Sequence, residues 1–244
     1  MRRSCHALPA VVCLWAVGVL AGPGDAPVVV GRFATAPVLD GRLDDAVWQA
    51  APALVLRGLG DKVVKNATTA RVGYDATHLF VGMVCEEAEM GRLQTAWSHA
   101  EERDNAIWQD DCVEVFLDPL SRGTAVGRHL IVNSAGVIYD AADGDVSWDC
   151  DLAVGVAKAA DAWTVEMAIP FRDLGFTPQG GERWLLNLGR EQKPQGELSC
   201  LATGTGNFAN PERYVDAVFA GSGRARVQAI AEGGEDRLHL TIDP

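Results

Sequence analysis

The chain has 244 residues, 33 acidic against 21 basic side chains, and a formal charge of −12. Such an acidic surface repels phosphate backbones and anionic lipid, which excludes nucleic acid and membrane surfaces as ligands and leaves neutral molecules or metal cations. The length fits one all-β domain with a sizeable core.

Arg2 and Arg3 precede an apolar run from Leu8 to Leu20, with the small residues Val19 and Ala21 framing a cleavage point. This reads as a secretory leader over residues 1–21, too short to span a bilayer, and no later stretch is long and apolar enough to do so. The expectation is therefore a soluble, secreted or periplasmic protein that begins near Gly22 and carries a formal charge of −14, with residues 22–244 forming a single domain. Cys5 and Cys13 leave with the leader, and no cysteine follows the cleavage point to carry a lipid.

Beyond the leader, residues 44–50 form the one helical segment, stopped by Pro52 and capped by Asp44. Short β-prone segments then recur between Gly, Asp, Asn and Pro, predicting strands over 70–74, 78–86, 112–118, 129–133, 151–158, 163–169, 184–190, 198–202 and 215–219. A closing hairpin over 226–242 turns at residues 232–235. The 78–86 segment is apolar on both faces and belongs inside a sheet. Along 112–118, Val113, Val115 and Leu117 point one way, and Cys112, Glu114 and Phe116 the other. The rhythm is that of an antiparallel β-sandwich with a short N-terminal helix.

Four cysteines remain, Cys85, Cys112, Cys150 and Cys200, without the close pairs of a zinc site. Disulfides and buried free thiols both stay open. Asp140, Asp143 and Asp145, with Asp149 and Asp151 nearby, offer hard oxygen ligands suited to calcium, although a solvated acidic turn reads equally simply. Trp48, Trp163 and Trp184 fit a packing role, with Trp48 plugging one end of the sandwich. Trp108 differs, because it precedes its strand in a polar setting over residues 105–111.

Five stretches occur in a recognisable order: VLDGRLDDAVW at 38–48, ARVGYD at 70–75 leading into LFV at 79–81, WQDDCVEVFLDP at 108–119, WTVEMAIPF at 163–171, and WLLNLGR at 184–190. Together they resemble carbohydrate-binding module family nine, within the wider DOMON-like and immunoglobulin-like group of sandwiches, from about residue 28 to 219. The resemblance implies sugar binding by aromatic stacking and hydrogen bonds in support of polysaccharide breakdown. Trp108 and a late-loop aromatic, here Phe208 beside Asn207, would be the walls, and Glu114 the hydroxyl acceptor. The family's arginine falls at Ile131, leaving Arg128 or His129 to compensate from a different position and facing. The implied partners are mono- or oligosaccharides or polysaccharide ends, with a glycoside hydrolase as a protein partner. No cofactor is required, and structural Ca2+ is an option the family offers.

No nucleophile elbow, phosphate loop or metal-hydrolase motif is present. Asp110 or Asp111 with Glu114 would crowd one wall instead of straddling a glycosidic bond, so catalysis is not expected. The competing reading is a haem b electron-transfer domain, with His78, Met83, Met90, His99 and His129 as conceivable axial ligands. A structural or partner-binding module is the third.

Overall fold

The computed structural model describes residues 27–202, 204 and 206–221, and the strand backbones 225–232 and 235–242. In chain order the elements are β1 (Val28–Arg32), α1 (Ala46–Ala50), β2 (Leu54–Val55), β3 (Arg57–Gly58), β4 (Thr68–Tyr74), β5 (His78–Glu86), β6 (Cys112–Asp118), β7 (Arg128–Asn133) and β8 (Ile138–Ala142). There follow β9 (Ala153–Lys158), β10 (Ala162–Pro170), α2 (Phe171–Leu174), β11 (Arg183–Gln192), β12 (Glu197–Cys200), β13 (Val215–Phe219), β14 (Ala225–Glu232) and β15 (Glu235–Ile242). None of the described helices is long and apolar enough to cross a membrane. The leader read at residues 1–21 lies outside the described residues.

Two sheets make the sandwich. The first runs β8-β7-β6-β11-β13, the second β4-β5-β10-β9, and β1 joins them. Most pairings are antiparallel, as alternation and short connections require. The exceptions are at β1, which lies parallel to β13 through Val28–Val30 and parallel to β4 through Gly31–Arg32. The sheet is therefore mixed, because a strand that passes from one sheet to the other takes its direction from both neighbours. The hairpin β14–β15 pairs with itself, antiparallel, from Ala225 opposite Ile242 to Glu232 opposite Glu235.

The core follows from alternation. Val113, Val115 and Leu117 of β6 face Leu79, Val81 and Met83 of β5 and Trp163, Val165 and Met167 of β10 in one buried cluster, joined by Trp184. Burying each such side chain stabilises the fold by about 1.5–3 kcal/mol. As its two apolar faces predict, β5 is an interior strand between β4 and β10.

Trp48 does not plug an end of the sandwich. It lies against Phe33, Phe80 and Ala168 on the outward face of the second sheet and is fully buried. Its indole N–H donates to Glu166 at 2.7 Å, and the same carboxylate accepts from the Gly41 backbone at 2.8 Å. The residue capping α1 is Asp45, not Asp44, and its carboxylate accepts from the Val38 backbone instead of the helix. All four cysteines among the described residues are free and buried, which decides between the two readings. Burial pushes the Cys85 and Cys150 thiols up to about 12.

Candidate functional site

On the outer face of the second sheet α1 and its flanking loop pack through Trp48 and Leu43; the candidate site lies on that of the first. There, register builds a patch of side chains. Glu114 stands opposite Ile131 on one side and Gly189 on the other, Phe116 stands opposite His129 and Asn187, and Ile131 stands opposite Tyr139. Two segments wall this patch. One is the turn Ile107–Gln109 and the other is the loop at 206–210. Between them lies a cavity of about 280 Å³ lined by Trp108, Glu114, Phe116, His129, Ile131, Tyr139, Glu191, Asn207, Phe208 and Ala209. That volume is near the lower limit for small-molecule clefts, about 300 Å³.

Trp108 is pushed outward by its neighbours. Ile107 is buried with Cys112, Ile131 and Val137, and this anchors the turn. Asp110 and Asp111 are also buried. Asp110 accepts from the Ala96 and Trp97 backbone amides and from the Asn133 side chain, and Asp111 accepts from Gln94 and Lys193. These carboxylates serve as loop posts, the ordinary way to satisfy a buried charge. Trp108 is left 42 % exposed, edge-on to Tyr139 at 5.5 Å, with its carbonyl accepting from Lys193 Nζ at 2.7 Å.

Glu114 is almost buried, and its Oε2 lies 2.7 Å from His129 Nε2. The imidazole stacks on Phe116 at 4.2 Å and meets Tyr139 edge-on, which fixes its orientation. His129 precedes Ile131 by two residues and so shares its facing, contrary to the sequence expectation. Arg128 points to the opposite side, over the Trp148 ring and toward the Leu174 carbonyl. Ile131 itself is fully buried and opposite Glu114.

The five residues named from sequence, Trp108, Glu114, His129, Asn207 and Phe208, thus line one cavity, which opens on a sheet face and not at the sandwich rim. Phe208 differs from an open platform. It is only 6 % exposed and packs with Phe116, Cys200 and Tyr214. Its ring lies directly on Gly189, where an added Cβ would fall 2.7 Å from Phe208 Cδ2. Sequence reading missed Phe116, Tyr139 and Glu191 as lining residues. Phe116 was within reach, because it shares the alternation face of Glu114.

The acidic segment does not converge. Asp140 is not in a loop but on β8, fully buried and ion-paired with Arg103, and it accepts from the Cys150 backbone at 2.8 Å. Asp143 is held by Arg122 at 3.0 Å, and exposed Asp145 caps its own turn through Ser147. Asp104, Asp140 and Asp149 do approach one another. The Arg103 guanidinium, with Nε 3.6 Å from Asp104 and 3.5 Å from Asp149, already balances their charge, so this donor set fits a structural cation poorly. Of the conceivable haem ligands, Met83 is fully buried in the main core, His78 is engaged by Thr77, and only His129 lines the cavity.

Comparison with known proteins finds the same fold. A solved structure of a carbohydrate binding module family 9 from Caldicellulosiruptor kristjanssonii in complex with cellotriose superposes with a TM-score of 0.63 at 19% identity, covering 80% of this chain and 94% of that one. The same kind of module from that organism in complex with glucose gives the same TM-score and identity, with 96% of its chain covered. A Bacteroides uniformis protein follows at 0.60 and 15% identity, with 79% and 98% covered. No curated protein matches closely enough to serve as a relative. The family described as "Carbohydrate family 9 binding domain-like" matches residues 39–217, from ahead of α1 into β13, and the chain belongs to that family.

Proposed function

We propose that this chain is a non-catalytic saccharide-binding module whose site is the cavity between Trp108 and the 206–210 loop. The observation that carries the reading is convergence. Four separated segments bring an exposed indole, a fixed carboxylate–imidazole pair and the Asn207 amide to one opening. A sugar presents apolar C–H faces and a rim of hydroxyls, so it is held by flat aromatic surface together with fixed acceptors and donors. The relatives in complex with cellotriose and glucose support the same ligand class.

The chemistry also favours binding over hydrolysis. Asp110 and Asp111 are occupied by backbone amides and the Asn133 side chain, and Glu191 is the diagonal neighbour of Glu114 across the β6–β11 pairing. Two carboxyls side by side on one sheet face do not flank a glycosidic bond from opposite sides, as hydrolysis requires. In this reading the module is exported and acts beside a glycoside hydrolase, delivering it to polysaccharide.

Titration calorimetry of the chain and its Trp108→Ala variant with cellotriose tests the proposal. Losing a stacked indole removes contact worth about 1–3 kcal/mol, so affinity should fall roughly tenfold to a hundredfold. Because Trp108 is outside the core, the variant should melt with the parent. Unchanged cellotriose binding in a folded Trp108→Ala variant would overturn the proposal, and a Soret band in the purified protein would favour the haem reading.

A further inference from the structure

The described lining of the cavity holds two carboxylates, Glu114 and Glu191, one imidazole and one phenol, and neither lysine nor arginine. Gly189 stands across from Glu114 and has no side chain, so Glu191, two residues along β11, becomes the diagonal neighbour of Glu114. Both carboxyls line the one cavity. Lys193 gives its ammonium to Glu191 and to the Trp108 carbonyl, and does not itself line the cavity. His129 is engaged with Glu114.

Resting on the saccharide reading, we infer that Glu191 is a second polar anchor, and that with Glu114 it makes the cavity an acidic subsite selecting saccharides that carry a free amine. A hydroxyl can donate to one carboxylate but brings no charge to a pair that has a single ammonium, that of Lys193, between them. An ammonium offers three donors and a positive charge, and placed between the pair it relieves their repulsion through bonds about twice as strong as neutral ones. A uronic acid brings a third carboxylate to the same place. Burial pushes the Glu191 carboxyl above its ordinary range although the Lys193 ammonium pulls it down, and the Glu114 charge adds to the rise. The other groups facing this point are His129 from β7, Tyr139 from β8 and Lys193 just beyond β11; of these only Lys193 is permanently cationic, and its single ammonium is shared between Glu191 and the Trp108 carbonyl.

Three β-1,4-linked trimers separate the alternatives: cellotriose, the same backbone with free amines at C2, and its N-acetylated form, with glucuronic acid as the anionic probe. At about pH 6, where the sugar amines are largely protonated, the amine trimer should bind roughly tenfold more tightly than cellotriose. The acetylated trimer should show no such gain, and glucuronic acid should bind more weakly than glucose. Raising salt from roughly 0.05 to 0.5 M should shrink the amine's advantage, a measurement that requires no variant. Glu191→Gln should reduce the ratio of the two affinities severalfold. Equal binding of the amine trimer and cellotriose, or a ratio that Glu191→Gln leaves unchanged, overturns this inference while saccharide binding stands. Failure of every sugar to bind overturns both.

Discussion

Gly189 is where the sheet and the cavity wall meet, and a single methyl there probes both. A Cβ at this position would lie 2.7 Å from Phe208 Cδ2 and 3.0 Å from Cε2 and Cγ, whereas non-bonded carbons rest about 3.5–4.0 Å apart. The ring would have to withdraw by about 1 Å, or β11 would have to bow. Neither is easy, because a phenyl ring cannot bend, Phe116, Cys200 and Tyr214 crowd it, and Asn187 Nδ2 donates to the Phe208 carbonyl at 2.9 Å. Overpacking of this kind costs about 1–3 kcal/mol, against about 0.4–1 kcal/mol gained by stiffening the unfolded chain. Gly189→Ala should therefore lose about 1–2 kcal/mol net, a fall in Tm of about 2–8 °C for a domain this size. Its cellotriose affinity should also drop, since the displaced ring lines the cavity. Thermal melts followed by calorimetric titration check both effects. A Gly189→Ala protein that melts at or above the parent temperature and binds equally well would refute the idea that Phe208 is wedged on the strand.

Two further outcomes follow from buried carboxyls. Glu166 accepts from both the Trp48 indole and the Gly41 amide, so Glu166→Gln turns an amide against one of those donors and should cost about 1–3 kcal/mol in urea denaturation; an unchanged midpoint would mean that this carboxylate does not hold α1 to the sheet. Asp140 is raised to about 6, first by burial, although the Cys150 amide and Arg103 pull it down. Its folded value exceeds the unfolded value of about 3.9, so its stabilising contribution is complete below about pH 4 and lost as pH rises through about 6. The Tm of the parent should therefore fall, relative to Asp140→Asn, between about pH 4 and 6.5, and two curves that run parallel across that window would contradict the argument.

What could be read from sequence was what is written locally. The segments 78–86, 112–118 and 215–219 were placed with the bounds of β5, β6 and β13, because each carries its alternation or its apolar run within itself. In contrast β8 looked like an acidic loop, since the residue that makes Asp140 tolerable inside a sheet is Arg103, 37 residues away. Strands β2 and β3 are two residues each, too short for any periodicity, and β1 owes its place to partners far along the chain. The site divides in the same way. Trp108 and Glu114 stand out within a single motif, whereas Tyr139 and Glu191 enter the cavity only through the register of β8 against β7 and of β11 against β6. Phe208 was named, but its burial depends on Gly189, which no reading of the 206–210 loop could supply.

The passage of β1 between the two sheets bears on how the domain assembles. Its first three residues zip onto Ala217–Phe219, across a gap of roughly 190 positions, and its last two onto Gly73–Tyr74. Until that distant strand is synthesised, the two halves of the sandwich have no shared seam, and the Val28–Val30 stretch of β1 presents an open edge of the kind that recruits a neighbouring chain. Closing so long a loop is entropically slow, which makes this a topology of late commitment, in which the seam forms after the individual hairpins. Overproduced chains would then be most vulnerable to mispairing just before β1 docks, and that step, more than the strength of the core, would set the yield of folded protein.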